Sequence, residues 1–251
     1  MIRSFALTRR EVSRFVKIKG QTIGAPLLET FLYISVFGAA LGTRVGDLDG
    51  VDYVVYVIPG LILMAWAINA FTNNASSLLQ QKFQRSIDDQ LSSPATPIQL
   101  LLAFTLGGFL RGMTIAIITF LVASVLVDLP VEHPLVLVIS LFLVGFFFSQ
   151  LGVLVGIRAE QFDDVSFAQT FILQPLIFLG GIFYSASLLP EPYQTLTHFN
   201  PVYYMISTVR YGFLGQQDVN ITLSLIGLAI ATGALFLANH RLFVSGYKLR
   251  T

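Results

Sequence analysis

Six apolar stretches, each long enough to cross a bilayer, constrain this 251-residue chain more than any other feature. They lie at about 23–42, 53–77, 106–127, 134–157, 167–184 and 221–243. A helix crossing the roughly 30 Å hydrocarbon core needs about 20 apolar residues. Six such helices with short connections use nearly the whole sequence, and the longest polar stretches leave no room for a separate soluble domain. Period-2 alternation is absent from these runs, which argues against an outer-membrane barrel. Only 12% of residues are charged, against about 25% in soluble domains. The expectation is an all-α polytopic membrane protein: one transmembrane domain over residues 1–251 with six transmembrane helices. The chain has no Cys, so disulfides and thiolate metal sites are excluded. Gly38 and Ala40 are small enough for a signal-peptide cleavage site, but the first run is too long and follows about 20 residues, against cleavage.

Orientation follows from Lys and Arg. Arg3, Arg9, Arg10, Arg14, Lys17 and Lys19 precede the first run, Lys82 and Arg85 follow the second, Arg158 follows the fourth, and Arg241, Lys248 and Arg250 lie at the tail. The intervening segments hold only Arg44 and Arg210, with Asp47, Asp49, Asp52, Asp128, Glu132, Glu191 and Asp218. The positive-inside rule places both termini in the cytoplasm. On a helical wheel, Ile2, Phe5, Val12, Phe15 and Val16 share one arc, and Arg3, Arg10, Arg14 and Lys17 the opposite stripe. Residues 2–20 therefore read as an amphipathic interfacial helix on the inner leaflet, either a lipid-binding collar or a lever for a cytoplasmic partner.

Catalytic motifs are missing. There is no P-loop, H-E-x-x-H or G-x-S-x-G, and His133, His198 and His240 are scattered. Two charges, Glu29 and Arg111, lie inside runs. The stretch 98–127 would be about 45 Å long as one helix, so its first residues are expected along the interface, with a bend at Gly107-Gly108. That bend would bring Arg111 to the depth of Glu29. The two would pair, or Arg111 would snorkel alone to phosphate. Asn69, Asn73, Asn74, Gln150, Gln169 and Gln174 are further intramembrane polar residues, suited to interhelical bonding or to a substrate path. Pro59-Gly60 and Gln174-Pro175 should kink their helices.

Two connections are unusual. Residues 78–97 are far longer than a bare link and stop at Pro94-Ala-Thr-Pro97. Within them Phe83, Ile87 and Leu91 are spaced i, i+4, i+8, an apolar ridge for a partner groove or for lipid. Residues 186–215 are too apolar for an exposed loop and too broken by Pro190, Pro192 and Pro201 for a span. Short re-entrant outer helices between the fifth and sixth spans reconcile both facts, provided they are buried in protein or line a cavity. Tyr184, Tyr193, Tyr203, Tyr204 and Tyr211 suit an interfacial belt.

That outer segment carries Gly180-Gly181-x-Phe183-Tyr184-Ser185, Leu189-Pro190, Asn200-Pro201 and Arg210-Tyr211-Gly212. With Gly42-Thr-Arg-Val-Gly-Asp47, Val57-Ile-Pro-Gly-Leu61, Lys82 to Pro94 and Phe162-Asp-Asp-Val-Ser166, it resembles the ABC-2 type exporter permeases, and within them the YadH-like inner-membrane group. The resemblance implies a dimer of permeases, a homodimer here, on two copies of a separate ABC ATPase in the inner membrane. ATP and Mg would bind the ATPase, with no cofactor on this chain. The coupling segment would be Lys82, Phe83, Arg85, Ile87, Asp88, Asp89 and Leu91, where Asp88-Asp89 replaces the Glu-rich segment of many relatives. Membrane lipid is the other partner expected, and no nucleic acid. The cargo would be an amphipathic or lipophilic drug, lipid or glycoconjugate. The rival readings are an ion-coupled secondary transporter, which needs midplane titratable groups, and an intramembrane enzyme, which needs a catalytic cluster.

Overall fold

The computed structural model describes residues 8–14, 20, 24–37, 46–48 and 50–249. The outer-loop residues 42–45, Gly38, Ala40 and the leader residues 2–7 and 15–19, all used in the sequence reading, lie outside the described residues. Among those described, four helices are long and apolar enough to cross a membrane: α3 (Tyr53–Phe83), α5 (Pro97–Leu126), α6 (Pro134–Arg158) and α11 (Ile221–Ser245). Shorter helices are α1 (residues 8–14), α2 (Ala25–Phe37), α4 (Ser86–Ser92), α7 (Phe162–Phe167), α8 (Gln174–Phe178), α9 (Glu191–Phe199) and α10 (Pro201–Leu214). A two-residue antiparallel ribbon, Asp47–Leu48 with Val51–Asp52, interrupts the all-helical expectation. It turns at Gly50, whose φ of 81° favours glycine.

Helix α3 is the axis of the bundle. The Asp52 carboxylate caps it by accepting from the Val54 N–H at 2.8 Å, and it runs 31 residues through Pro59 without a break. A helix apolar all round belongs inside a bundle, and α3 is the most buried of the four. Glycines on α5 and α6 let their backbones close on it. A Cβ at Gly108 would fall 2.6 Å from the Asn74 amide, and one at Gly156 2.9 Å from Leu78 Cβ. At Gly152 it would collide with the Phe71 carbonyl. This close approach is the small-residue packing of membrane helices.

Helix α5 corrects the sequence reading. Thr96 N donates to Gln99 Oε1 at its start, and it then continues as one helix from Pro97 to Leu126. No break occurs at Gly107-Gly108. Both glycines are buried against α1 and α3, so they serve contact rather than bending. The fifth apolar run is helical over residues 162–178, but with a π-helical stretch, Ala168–Leu173, between α7 and α8. Pro175 has no N–H to offer the preceding turn, and π stretches mark such interruptions. One core surrounds α3. A second lies at the basic end of the bundle, built from Leu78, Ile87, Leu100, Leu101, Phe104, Val153, Ile157, Phe243 and Leu249.

Candidate functional site

At the basic end, α1 enters the bundle through a carboxylate. Glu11 is 2% exposed. It accepts from Ser77 Oγ at 2.7 Å and Gln81 Nε2 at 3.1 Å, both on α3. It also pairs with Arg10 at 3.0 Å and Arg14 at 3.7 Å. Its Cβ occupies the space a side chain at Gly107 would need, 2.7 Å away. Arg14 donates to the Asn73 carbonyl and to Asn73 Oδ1, each at 2.8 Å. Burial lowers the Arg14 pKa; Glu11 opposes the shift and Arg10 adds to it. The sequence reading laid residues 2–20 on the inner leaflet; of these, residues 8–14 are described as helix, with Glu11 buried against α3 and α5. Glu11 falls at the border of the two wheel faces, about 100° per residue, so an apolar-versus-basic division passes over it. Its signal in the sequence is that it is the sole acid among residues 1–28.

Arg10 ties α4 into the same cluster. Its Nη2 reaches Gln81 Oε1 at 2.9 Å and Gln90 Oε1 at 3.2 Å, and Gln90 Nε2 donates to Gln81 Oε1 at 2.5 Å. Asn73 donates to Asn74 at 3.2 Å, and Asn74 to Ser149 Oγ at 2.7 Å. Ser149 Oγ donates to the Thr105 carbonyl at 2.6 Å and Gln150 to Thr105 Oγ1 at 2.7 Å. Asn239 then donates to Gln150 Oε1 at 2.7 Å. One hydrogen-bonded series thus links α1, α3, α4, α5, α6 and α11. Asn73, Asn74 and Gln150 are interhelical glue here; Glu11, Ser149 and Asn239 were not singled out by the sequence.

The residues of 82–91 separate into two sets. Lys82 Nζ donates to the Ile157 and Ala159 carbonyls at 2.9 and 2.6 Å, at the C-terminus of α6, where a cation complements the helix dipole. Lys248 reaches Glu160 at 2.6 Å. Phe83 stays 59% exposed and stacks on Phe162 at 5.5 Å. Arg85 is exposed in a left-handed turn (φ 54°) that ends α3 and starts α4. Asp89 is exposed and Asp88 partly so. Ile87 is fully buried in the second core, and Leu91 packs against it. The expected outward ridge Phe83–Ile87–Leu91 is therefore corrected. The break at Arg85 rotates α4 relative to α3, turning Ile87 inward and leaving Phe83 outside.

At the opposite end the glycine-, proline- and tyrosine-rich segment closes around Arg210, which is 1% exposed. Its guanidinium meets Asp218 at 3.1 Å, donates to the Gly181 carbonyl at 2.6 Å and lies 3.9 Å from the centroid of the Tyr56 ring. Gly181 takes φ 84° to present that carbonyl. Gly180 packs against Ile206. Asn200 caps α10 by accepting from Val202 N and donates to the Leu176 carbonyl at 2.6 Å, with Pro201 at the first helical position, where its missing N–H costs nothing. Pro190 is the N-cap of α9, with Pro192 in its first turn. Tyr184 donates to the Leu179 carbonyl, Tyr211 stacks on His133, and Gly212 sits against Leu137. Gly181, Asn200, Arg210 and Gly212 of this segment are thus buried in the bundle, whereas α9 leaves Tyr193, Leu196 and Phe199 exposed.

Glu29 and Arg111 do not meet. Thr30 and Thr119 hydroxyls hydrogen-bond at 3.3 Å, which places Glu29 about two turns, or about 12 Å, along α5 from Arg111. The expected common depth depended on an interfacial first segment, whereas α5 is one continuous helix from Pro97. Glu29 instead lines a crevice with Thr30, Tyr33 and Asn69, where Asn69 donates to its own Ala65 carbonyl. Gln174 is partly buried at the start of α8. No group of three metal-ligating side chains occurs among the described residues.

Residues 3–214 match the family model of the ABC-2 type transporter. The chain belongs to the ABC-2 type transporter family. It is 38% identical over 242 residues to the inner membrane transport permease YadH of Escherichia coli K12, covering 96% of this chain and 94% of that protein. It is 26% identical over 235 residues to nodulation protein J of Sinorhizobium fredii NGR234, covering 90% and 86%. This ABC-2 chain is the membrane subunit of an ABC transporter, a multi-pass inner-membrane protein that works with an ABC ATPase subunit.

Proposed function

We propose that this chain is the permease of an ATP-driven exporter that moves an amphipathic or lipophilic cargo outward, assembled as a homodimer on two ATPase subunits that bind ATP and Mg. The observation that carries the reading is the asymmetry of residues 82–91. Ile87 and Gln90 anchor α4 to the bundle, while Phe83, stacked on Phe162, and the exposed Arg85 and Asp89 stay on its surface. A lever needs such a pairing of a rigid root and a free face. Closure of the ATPases on ATP would pull α4, and the hydrogen-bonded series from Arg10 to Asn239 would carry the pull into α3, α5, α6 and α11, a rocking change. The basic end is the cytoplasmic one, with both termini there. The first and fifth apolar runs complete six crossings, and residues 186–215 form re-entrant outer helices. An open apolar hollow of about 450 Å³ between α6, α10 and α11, lined by Phe147, Tyr204, Met205 and Leu228, supports an apolar cargo or lipid. Family membership does not favour an ion-coupled carrier.

Co-purification of the ATPase with the permease tests the coupling face. Phe83→Asp should release the ATPase while leaving the permease folded, because Phe83 is largely exposed. Undiminished ATPase binding and coupled transport in that variant would sink the assignment.

A further inference from the structure

Arg111 is a membrane-embedded cation that finds no counter-charge among the described residues. It lies 14 residues into α5, about 21 Å from Pro97. Among the described residues it makes no ion pair, and its Nε is buried without a hydrogen-bond partner. A lone charge at membrane depth is costly and calls for a partner.

The candidates for an internal partner fail one by one. Glu29 is held about two turns away by the Thr30–Thr119 bond. Glu11 is near, packed on Gly107 one turn below Arg111, but its two oxygens already serve Arg10, Arg14, Ser77 and Gln81. Residues 1–28 contain six basic side chains and no other acid, and none of residues 53–87, 97–127 or 134–158 is acidic. The junction of α1 and α5 thus holds Arg10 and Arg14 on Glu11, with Arg111 one turn further along α5, three cations to one carboxylate.

We propose that Arg111, with Arg14 beside it, binds the phosphate of an anionic amphiphile in the inner leaflet. Guanidinium matches phosphate by paired, charge-assisted hydrogen bonds, and a lipid-borne phosphate can reach this depth from the side. A resident phospholipid and a transported amphiphile offer the same phosphate chemistry.

The test is the thermal stability of the purified chain after delipidation, with phosphatidylglycerol, phosphatidylcholine or decyl phosphate added back. Phosphatidylglycerol should raise the melting temperature several degrees more than phosphatidylcholine. Arg111→Gln should abolish that difference and Arg111→Lys should keep part of it. Arg111→Gln removes an unpaired charge, so it should fold at least as well as the wild type. With that dependence on Arg111, a response to phosphatidylglycerol alone assigns a resident lipid, and one shared by decyl phosphate assigns a freely exchanging amphiphile. An Arg111→Gln protein stabilised by phosphatidylglycerol as much as the wild type overturns the site, as does a wild type that responds equally to phosphatidylcholine.

Discussion

Glu11 and Arg210 show how single buried charges organise the two ends of this bundle. Each is almost fully enclosed and each has several partners, although Arg210 Nε has none, and partnering is the condition under which a buried charge is tolerated. Removing one member of such a set leaves the others unpaired, which costs about 3–5 kcal/mol. Glu11→Ala should therefore lower the melting temperature of the purified permease markedly, and Glu11→Gln less so, since an amide keeps the contacts to Ser77 and Gln81. Arg210→Lys keeps the charge but cannot serve Asp218, the Gly181 carbonyl and the Tyr56 face together. Its expected cost is about 1–3 kcal/mol, read by thermal unfolding in detergent.

At the scale of elements, contact between helices is set by glycine where backbones meet and by polar side chains where they do not. Gly152 and Gly227 make the contrast measurable. A side chain at Gly152 meets the Phe71 backbone, whereas Gly227 has nothing within 4 Å. Gly152→Val should abolish accumulation of folded permease, because α6 would be levered off α3. Gly227→Ala should be neutral or stabilising by up to about 1 kcal/mol, from helix propensity alone. Both outcomes are read from yield and melting temperature. Ile87→Asp should also unseat α4, since it places a charge in the second core, and so it would lose ATPase binding through misfolding. The exposed Phe83 separates the two effects. The i, i+4, i+8 pattern was legible in the sequence, but its direction was not. Periodicity assumes one continuous helix, and the left-handed turn at Arg85 breaks the frame between Phe83 and Ile87.

For the whole molecule, the absence of Cys makes topology directly testable. Ser92→Cys and Glu191→Cys would each carry the sole thiol of the chain, on exposed positions near opposite ends. A membrane-impermeant maleimide should label position 191 in intact cells and position 92 only after the membrane is opened. Labelling of both from one side would refute the proposed orientation.

The membrane class, the apolar character of the runs that include the four long helices and the basic bias of one end were determined by the sequence itself, because transfer into lipid depends on the composition of each segment alone. The motifs that resemble the ABC-2 permeases were equally local, and the family match agrees with them. The fate of the polar residues was decided only by the tertiary structure. Glu11 finds Ser77 66 positions away and Asn239 finds Gln150 89 positions away. Glu29 misses Arg111 because α5 is one unbroken helix on which Thr30 meets Thr119. Apolar periodicity records that a face avoids water, and it reads the same whether lipid or protein covers that face. Which charge is paired, and by what, depends on helix register and depth, which arise only when the helices pack.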